Sequence, residues 1–119
     1  MKGNMKSNTQ WKNKSSYIGN ILALIRDKLN RIVPNSDIIL YGSRVRGKAK
    51  KYSDWDFLIL VDQPIDKRTK YEIKDCLYDI ELEYNEILSS IIRTKHEWNS
   101  SKYSAMPFKK IIEKEGILL

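Results

Sequence analysis

A chain of 119 residues, 41% of them apolar, has material for one modest core and not for two catalytic domains. Its formal charge of +7 and pI near 9.5 favour anionic partners, while a single cysteine, Cys76, and a single histidine, His96, exclude an internal disulfide, a thiolate cluster and a His/Cys zinc site. No apolar run approaches the roughly 20 residues of a membrane span and the start Met1-Lys2-Gly3-Asn4 lacks an apolar leader, so a cytoplasmic protein with no membrane partner is expected.

Residues 1–15 hold lysine, asparagine, serine and glycine with only Met5 and Trp11 as sizeable apolar groups, and read as a flexible basic arm. The domain proper is expected over residues 16–119. From Tyr17 to Val33 the positions Ile18, Ile21, Leu22, Ile25, Leu29 and Ile32 recur at three and four, which predicts an amphipathic helix capped by Ser15 or Ser16 and stopped by Pro34-Asn35-Ser36. The run Asp37 to Tyr41 is short and β-branched and ends at Gly42, so it reads as a buried strand. A second strand, Asp56 to Val61, forms a hairpin-like pair with it. A second helix starts at a cap on Asp66 and places Ile73, Cys76, Leu77, Ile80 and Tyr84 on one face. Ile87 to Ile92 predicts a third strand, followed by an irregular polar segment through Ser104. A short helix after Pro107, closed by Gly116, precedes an apolar tail, Ile117-Leu118-Leu119, expected to pack back on the domain. This order gives an α/β (α+β) fold: a small mixed β-sheet with helices packed mainly on one face.

The segment between the first two strands carries the chemistry. Without a Cβ at Gly42 a phosphate can approach the backbone, and the Ser43 hydroxyl and nearby amides can donate to its oxygens. Arg44, Arg46, Lys48, Lys50 and Lys51 follow with no acid among them, a loop that attracts a triphosphate. Asp54 and Asp56 differ by two positions, so along a strand their side chains emerge on one face, roughly 6 to 7 Å apart. Two such carboxylates repel unless a cation lies beside them, and hard oxygen ligands suit Mg²⁺ or Mn²⁺.

Gly42-Ser43-Arg44-Val45-Arg46-Gly47 followed by Asp54-Trp55-Asp56 resembles the signature of the DNA polymerase beta-like nucleotidyltransferase superfamily, in particular its minimal nucleotidyltransferase branch. The resemblance extends over Ser16 to Leu119. It implies the polymerase beta palm-like fold and Mg²⁺- or Mn²⁺-dependent transfer of a nucleoside monophosphate, AMP above all, from a nucleoside triphosphate such as ATP to a hydroxyl. Asp54 and Asp56 would bind metal and act in catalysis, Gly42 and Ser43 would hold the terminal phosphates, and Arg44 or Arg46 would offset charge on pyrophosphate. Related enzymes carry a third carboxylate on the third strand. Here that strand offers Ser89 and Ser90, with Glu86 the nearest acid. The chain has no residues left for an acceptor-binding domain, so the acceptor is expected at an interface, and minimal members are often paired with a small helical HEPN-type protein as antitoxin and toxin. Two other readings stand beside this one: a catalytically weak or inactive binding protein, and a nucleic-acid binder using the arm, the loop and stacking by Trp11, Tyr17 and Tyr52. Nucleic acid is not the favoured partner.

Overall fold

A computed structural model describes residues 5–12 and 14–119. β1 (Lys6–Ser7) precedes α1 (Ser16–Ile32), whose first turn is capped by Ser15 accepting from the Ile18 amide at 3.2 Å. The apolar stripe Ile21, Leu22, Ile25 and Leu29 is buried along this helix. β2 (Asp37–Tyr41) runs antiparallel to β3 (Trp55–Val61) with Ile39 opposite Leu58, and a four-residue turn of helix, α2 (Ser43–Arg46), starts the loop between them. Asp66 caps α3 (Lys67–Tyr84) by accepting from the Thr69 amide at 2.8 Å, and Asn85 ends it in the left-handed region at φ 54°. This crossover helix returns the chain to β4 (Leu88–Thr94), parallel to β3 with Asp56 beside Ser89.

Beyond β4 the predicted irregular segment is corrected. It holds two short helices, α4 (Lys95–Trp98) and α5 (Ser101–Ser104). A reciprocal capping box starts the first, the Thr94 hydroxyl accepting from the Glu97 amide and the Glu97 carboxylate from the Thr94 amide, each at 3.0 Å. Trp98, 4% exposed, anchors it to the sheet. α6 (Pro107–Glu115) begins on proline as expected. The tail Ile117–Leu118 then packs back as a strand, β5, paired antiparallel to β2 and parallel to β1. Gly116 is needed at this junction for space, since a Cβ there would lie 2.7 Å from Ile39 Cγ2 and 2.6 Å from the Ile112 carbonyl oxygen.

The loosely attached arm is also corrected over its described part. Lys6 and Ser7 pair with Ile117 and Leu118, the Asn8 amide donates to the Leu118 carbonyl at 2.8 Å, and Trp11 is 5% exposed within the core. One large indole and a short ladder outweigh the polar composition around them. Residues 1–4 and 13, the rest of that predicted arm, lie outside the described residues.

The sheet order is β1-β5-β2-β3-β4, with β2 alone reversed relative to the other four in a mixed arrangement. Alternation along each strand divides the interior in two. Ile38, Leu40, Phe57 and Ile59 pack with α1 and α3, the two long helices, on one face. Ile39, Leu58 and Leu60 pack with Trp98 and Ile112 from α4 and α6 on the other. The helical mass is thus mainly on one face, as predicted, and short helices shield part of the second.

Candidate active site

The second face opens at the top of β2 and β3, where the chain turns out of the core. Asp56 shares the face of Leu58 and Leu60, and Asp54, two residues earlier, falls on the same side just ahead of the strand. Gly42 follows Tyr41, the register partner of Asp56, so the end of one strand lies against the carboxylate on the other. The contact is close: a Cβ on Gly42 would lie 3.3 Å from Asp56 Cγ and nearer still to Oδ2. The backbone of Gly42 adopts φ 93° and ψ −164°, a region reserved almost entirely for glycine. Geometry and space therefore demand the same residue. This turn delivers Ser43 to the first position of α2, where amides at a helix start have no carbonyl of their own helix to bond.

Electrostatics mark the same spot. Burial pushes the Asp56 carboxyl above the usual carboxylate range, the neighbouring Asp54 pushes it further, and Arg46 partly offsets both. Burial, and secondarily Asp56, raises the Tyr41 phenol as well. Tyr41 sits edge-on to Phe108 of α6, ring centroids 5.5 Å apart, and so bounds the carboxylate face on the α6 side. Ser89, beside Asp56 in the parallel register, donates from its hydroxyl to Asp54 Oδ2 at 2.7 Å. Tyr41 is not distinguishable as a site residue from sequence, and Ser89 is there only one of two serines where a third carboxylate is expected. Only the strand pairing brings them to the aspartates.

The two arginines divide. Arg46 is within electrostatic range of Asp56 and forms a half-exposed ion pair with Glu115 at 3.3 Å. Arg44 turns the other way: its guanidinium donates to the Ser53 carbonyl at 2.9 and 3.2 Å and to the Lys51 carbonyl at 3.2 Å, and lies 4.7 Å over the Trp55 ring. It clamps the basic loop to the body of the protein. Glu86 joins this cluster rather than the aspartates, accepting from the Trp55 indole at 3.1 Å and standing 3.9 Å from Arg44. The indole belongs to the α1/α3 side of the sheet, so the nearest candidate for a third carboxylate is held on the wrong face. Among the described residues no three His, Cys, Asp or Glu side chains come together as a metal cage. Trp11 is buried and cannot stack on a base, whereas Tyr17 and Tyr52 remain open to solvent. A cavity of about 680 Å³ lies at the opposite ends of β3 and β4, lined in part by Val61, Pro64, Lys70, Arg93 and His96, and does not include the aspartates.

Residues 22–119 match the family described as the nucleotidyltransferase domain. A stretch of 61 residues is 38% identical to the probable protein adenylyltransferase MntA of Haemophilus influenzae, covering 51% of this chain and 54% of that protein, so the likeness spans about half of the relative's length. The fold is similar to a crystal structure of a toxin–antitoxin with AMP-PNP, at a TM-score of 0.54 and 17% identity, over 84% of this chain and 69% of that one. It is also similar to a mutant of the toxin–antitoxin MntA–HpeT, with a TM-score of 0.52 at 17% identity over 86% and 70% of the two chains. No helix among the described residues is long and apolar enough to cross a membrane.

Proposed function

The chain belongs to the nucleotidyltransferase domain family, and from that premise we propose that it transfers AMP from ATP to a hydroxyl on a protein, in an antitoxin-like role beside a small helical partner. One observation carries the reading: the Gly42 turn and Asp56, separated by the whole basic loop in sequence, meet within contact distance at one rim of the sheet, with Asp54 on the same side just ahead of Asp56. The named relative and the AMP-PNP complex of a structural neighbour support AMP as the group and ATP as the donor.

Asp54 and Asp56 fit a divalent ion of the Mg²⁺ or Mn²⁺ type, because a carboxylate whose proton affinity is raised first by burial and then by its like-charged neighbour gains most from a cation with a preference for oxygen. When bound, such an ion supplies Lewis-acid charge neutralisation at the phosphates. The chain's own residues supply position. Gly42 admits the triphosphate to the backbone, Ser43 offers a hydroxyl, and Arg46 carries positive charge towards the departing pyrophosphate. The acceptor oxygen attacks the α-phosphorus, an O–P bond forms, the bond from the α-phosphorus to the bridging oxygen breaks, and pyrophosphate leaves. The hydroxyl proton passes to the solvent that the open rim admits.

The test uses ATP labelled at the α-phosphate, the protein co-purified with its partner, and Mn²⁺ or chelator. Label should enter protein with the metal present and disappear with chelator. Ser89 at the register of the third carboxylate, and Glu86 tied to Trp55, favour a second reading in which nucleotide binds and turnover is slow. Binding of ATP and Mn²⁺ in calorimetry without label transfer would establish that reading instead. Ser89→Asp should then tighten Mn²⁺ by about ten-fold, the effect of roughly 1.4 kcal/mol, since it adds a third oxygen ligand beside Asp56.

A further inference from the structure

β4 is an edge strand, and three of its outward peptide groups are bonded to charged side chains instead of to another strand. The Trp55 amide donates to the Ile87 carbonyl, which fixes the odd-numbered residues of β4 as those whose backbone faces β3. Leu88, Ser90 and Ile92 therefore present their N–H and C=O groups to the outside. Glu81 accepts from the Leu88 amide at 2.9 Å, Lys74 donates to the Ser90 carbonyl at 3.0 Å, and Arg93 donates to the Ile92 carbonyl at 2.7 Å. A carboxylate on an N–H and an ammonium on a C=O stand where a neighbouring strand would put its own C=O and N–H. A groove of about 470 Å³ runs between α3 and this edge, lined by Lys74, Leu77, Tyr78, Glu81, Leu88 and Ser89 among others. At Ser89 it reaches the catalytic rim, because that hydroxyl is bonded to Asp54.

We infer that this edge is the acceptor's docking site: an extended segment of the polypeptide to be modified adds to β4 as a sixth strand and presents a hydroxyl side chain to the aspartates. The inference rests on the proposed transfer reaction for its purpose, and on the bonding pattern of the edge for its geometry. The occupant is a peptide backbone because the outward N–H and C=O groups alternate at strand spacing, and the carboxylate and ammonium now bonded to them stand where another strand's own C=O and N–H would be. Strand addition places the new chain about 4.8 Å from β4. A hydroxyl side chain opposite Ser89, on the same face, then comes next to Ser89 and is directed across it towards Asp54, the span of β4 favouring a long side chain. Lys74 and Glu81 are displaced on docking. Lys74 is suited to leave, since partial burial and nearby Lys70 already disfavour its charged form.

The probe is a fluorescent strand-forming peptide, Lys-Thr-Val-Ser-Val-Thr-Lys, titrated into the full chain by anisotropy, with its alternate-amide N-methylated forms as controls. N-methylation in the bonded register should weaken binding at least ten-fold while leaving every side chain in place, and methylation in the other register should have little effect. Ser90→Pro removes one outward N–H at a position where an edge strand tolerates proline, and should weaken the parent peptide to the same extent. Glu81→Ala should strengthen it about three-fold by freeing the Leu88 amide. No binding, binding indifferent to both N-methylation registers, or a β4-dependent dimer of the chain in sedimentation that blocks the peptide would overturn the inference. If Ser90→Pro does not fold, the methylated peptides alone decide. Calorimetry with ATP and Mn²⁺ on the same preparation separates the two ideas: its failure removes the transfer reaction and leaves the docking result to stand on the peptides.

Discussion

Asp56→Asn should lower AMP transfer by about 10²- to 10³-fold and at the same time raise the melting temperature of the protein. The first effect follows from losing one of two metal-binding carboxylates, a change worth several kcal/mol of transition-state stabilisation at about 1.36 kcal/mol per decade. The second follows from the environment of the carboxyl, which burial and Asp54 push upward. For an acid whose folded pKa exceeds its unfolded value, ionisation costs more in the folded protein. The penalty is absent below the unfolded pKa, grows through the window between the two, and is fully present above the folded pKa. The Tm advantage of Asp56→Asn should therefore be seen at pH 7 to 8 and vanish in acid. Differential scanning calorimetry of both proteins across pH, without metal, reads it directly. A variant that is less stable than the parent at neutral pH would show that the aspartate has a structural partner and not a metal-binding role. Asp54→Asn should lose transfer to a similar extent, and saturating Mn²⁺ should stabilise the parent but neither variant.

Gly42→Ala should be strongly damaging for so small a substitution. Its backbone lies in a region that costs a residue with a Cβ about 1 to 3 kcal/mol, and the added methyl would press on the Asp56 carboxylate. A total near 3 kcal/mol corresponds to a fall in Tm of roughly 10 to 20 °C for a domain of this size. Activity should fall with it even at temperatures where the variant is folded, because Asp56 must move. Combining Gly42→Ala with Asp56→Ser removes the clash and should recover part of the stability while transfer stays absent. Gly47→Ala provides the contrast: Gly47 is also left-handed, at φ 72°, yet nothing lies within 4 Å of where its Cβ would be, so only the smaller backbone cost applies and Asp56 is undisturbed.

What was readable in advance follows the range of the forces involved. The helices around Ile21-Leu22-Ile25 and Ile73-Leu77-Ile80, their caps at Ser15 and Asp66, and the strands ending at Gly42 and starting near Asp56 depend on periodicity and local hydrogen bonding, and all form where expected. Trp11 depends on a distant core and on β5, so polar composition concealed it. The capping box at Thr94 and Glu97 is local and was legible as Thr-x-x-Glu, but the polar residues around it suggested a loop. At the site, the spacing of Asp54 and Asp56 gives their common face. The separate fates of Arg44 and Glu86 depend on which side of a strand Trp55 occupies, and the role of Ser89 on a parallel register set by an 18-residue crossover helix. Those are long-range facts that a motif does not encode.

The insertion of β5 between β1 and β2 has a consequence for biosynthesis. β1 is made long before its neighbour β5 and stays unpaired until residues 117 and 118 leave the exit tunnel, and the Ile39 flank of β2 stays bare for the same interval. Pairings this distant in sequence close slowly, and a nascent chain in that state exposes an apolar ribbon to its neighbours on a polysome. Newly made molecules should thus depend on chaperone holding until Leu118 is clear of the tunnel, and a premature stop shortly before that residue should yield aggregate rather than a shortened, working domain.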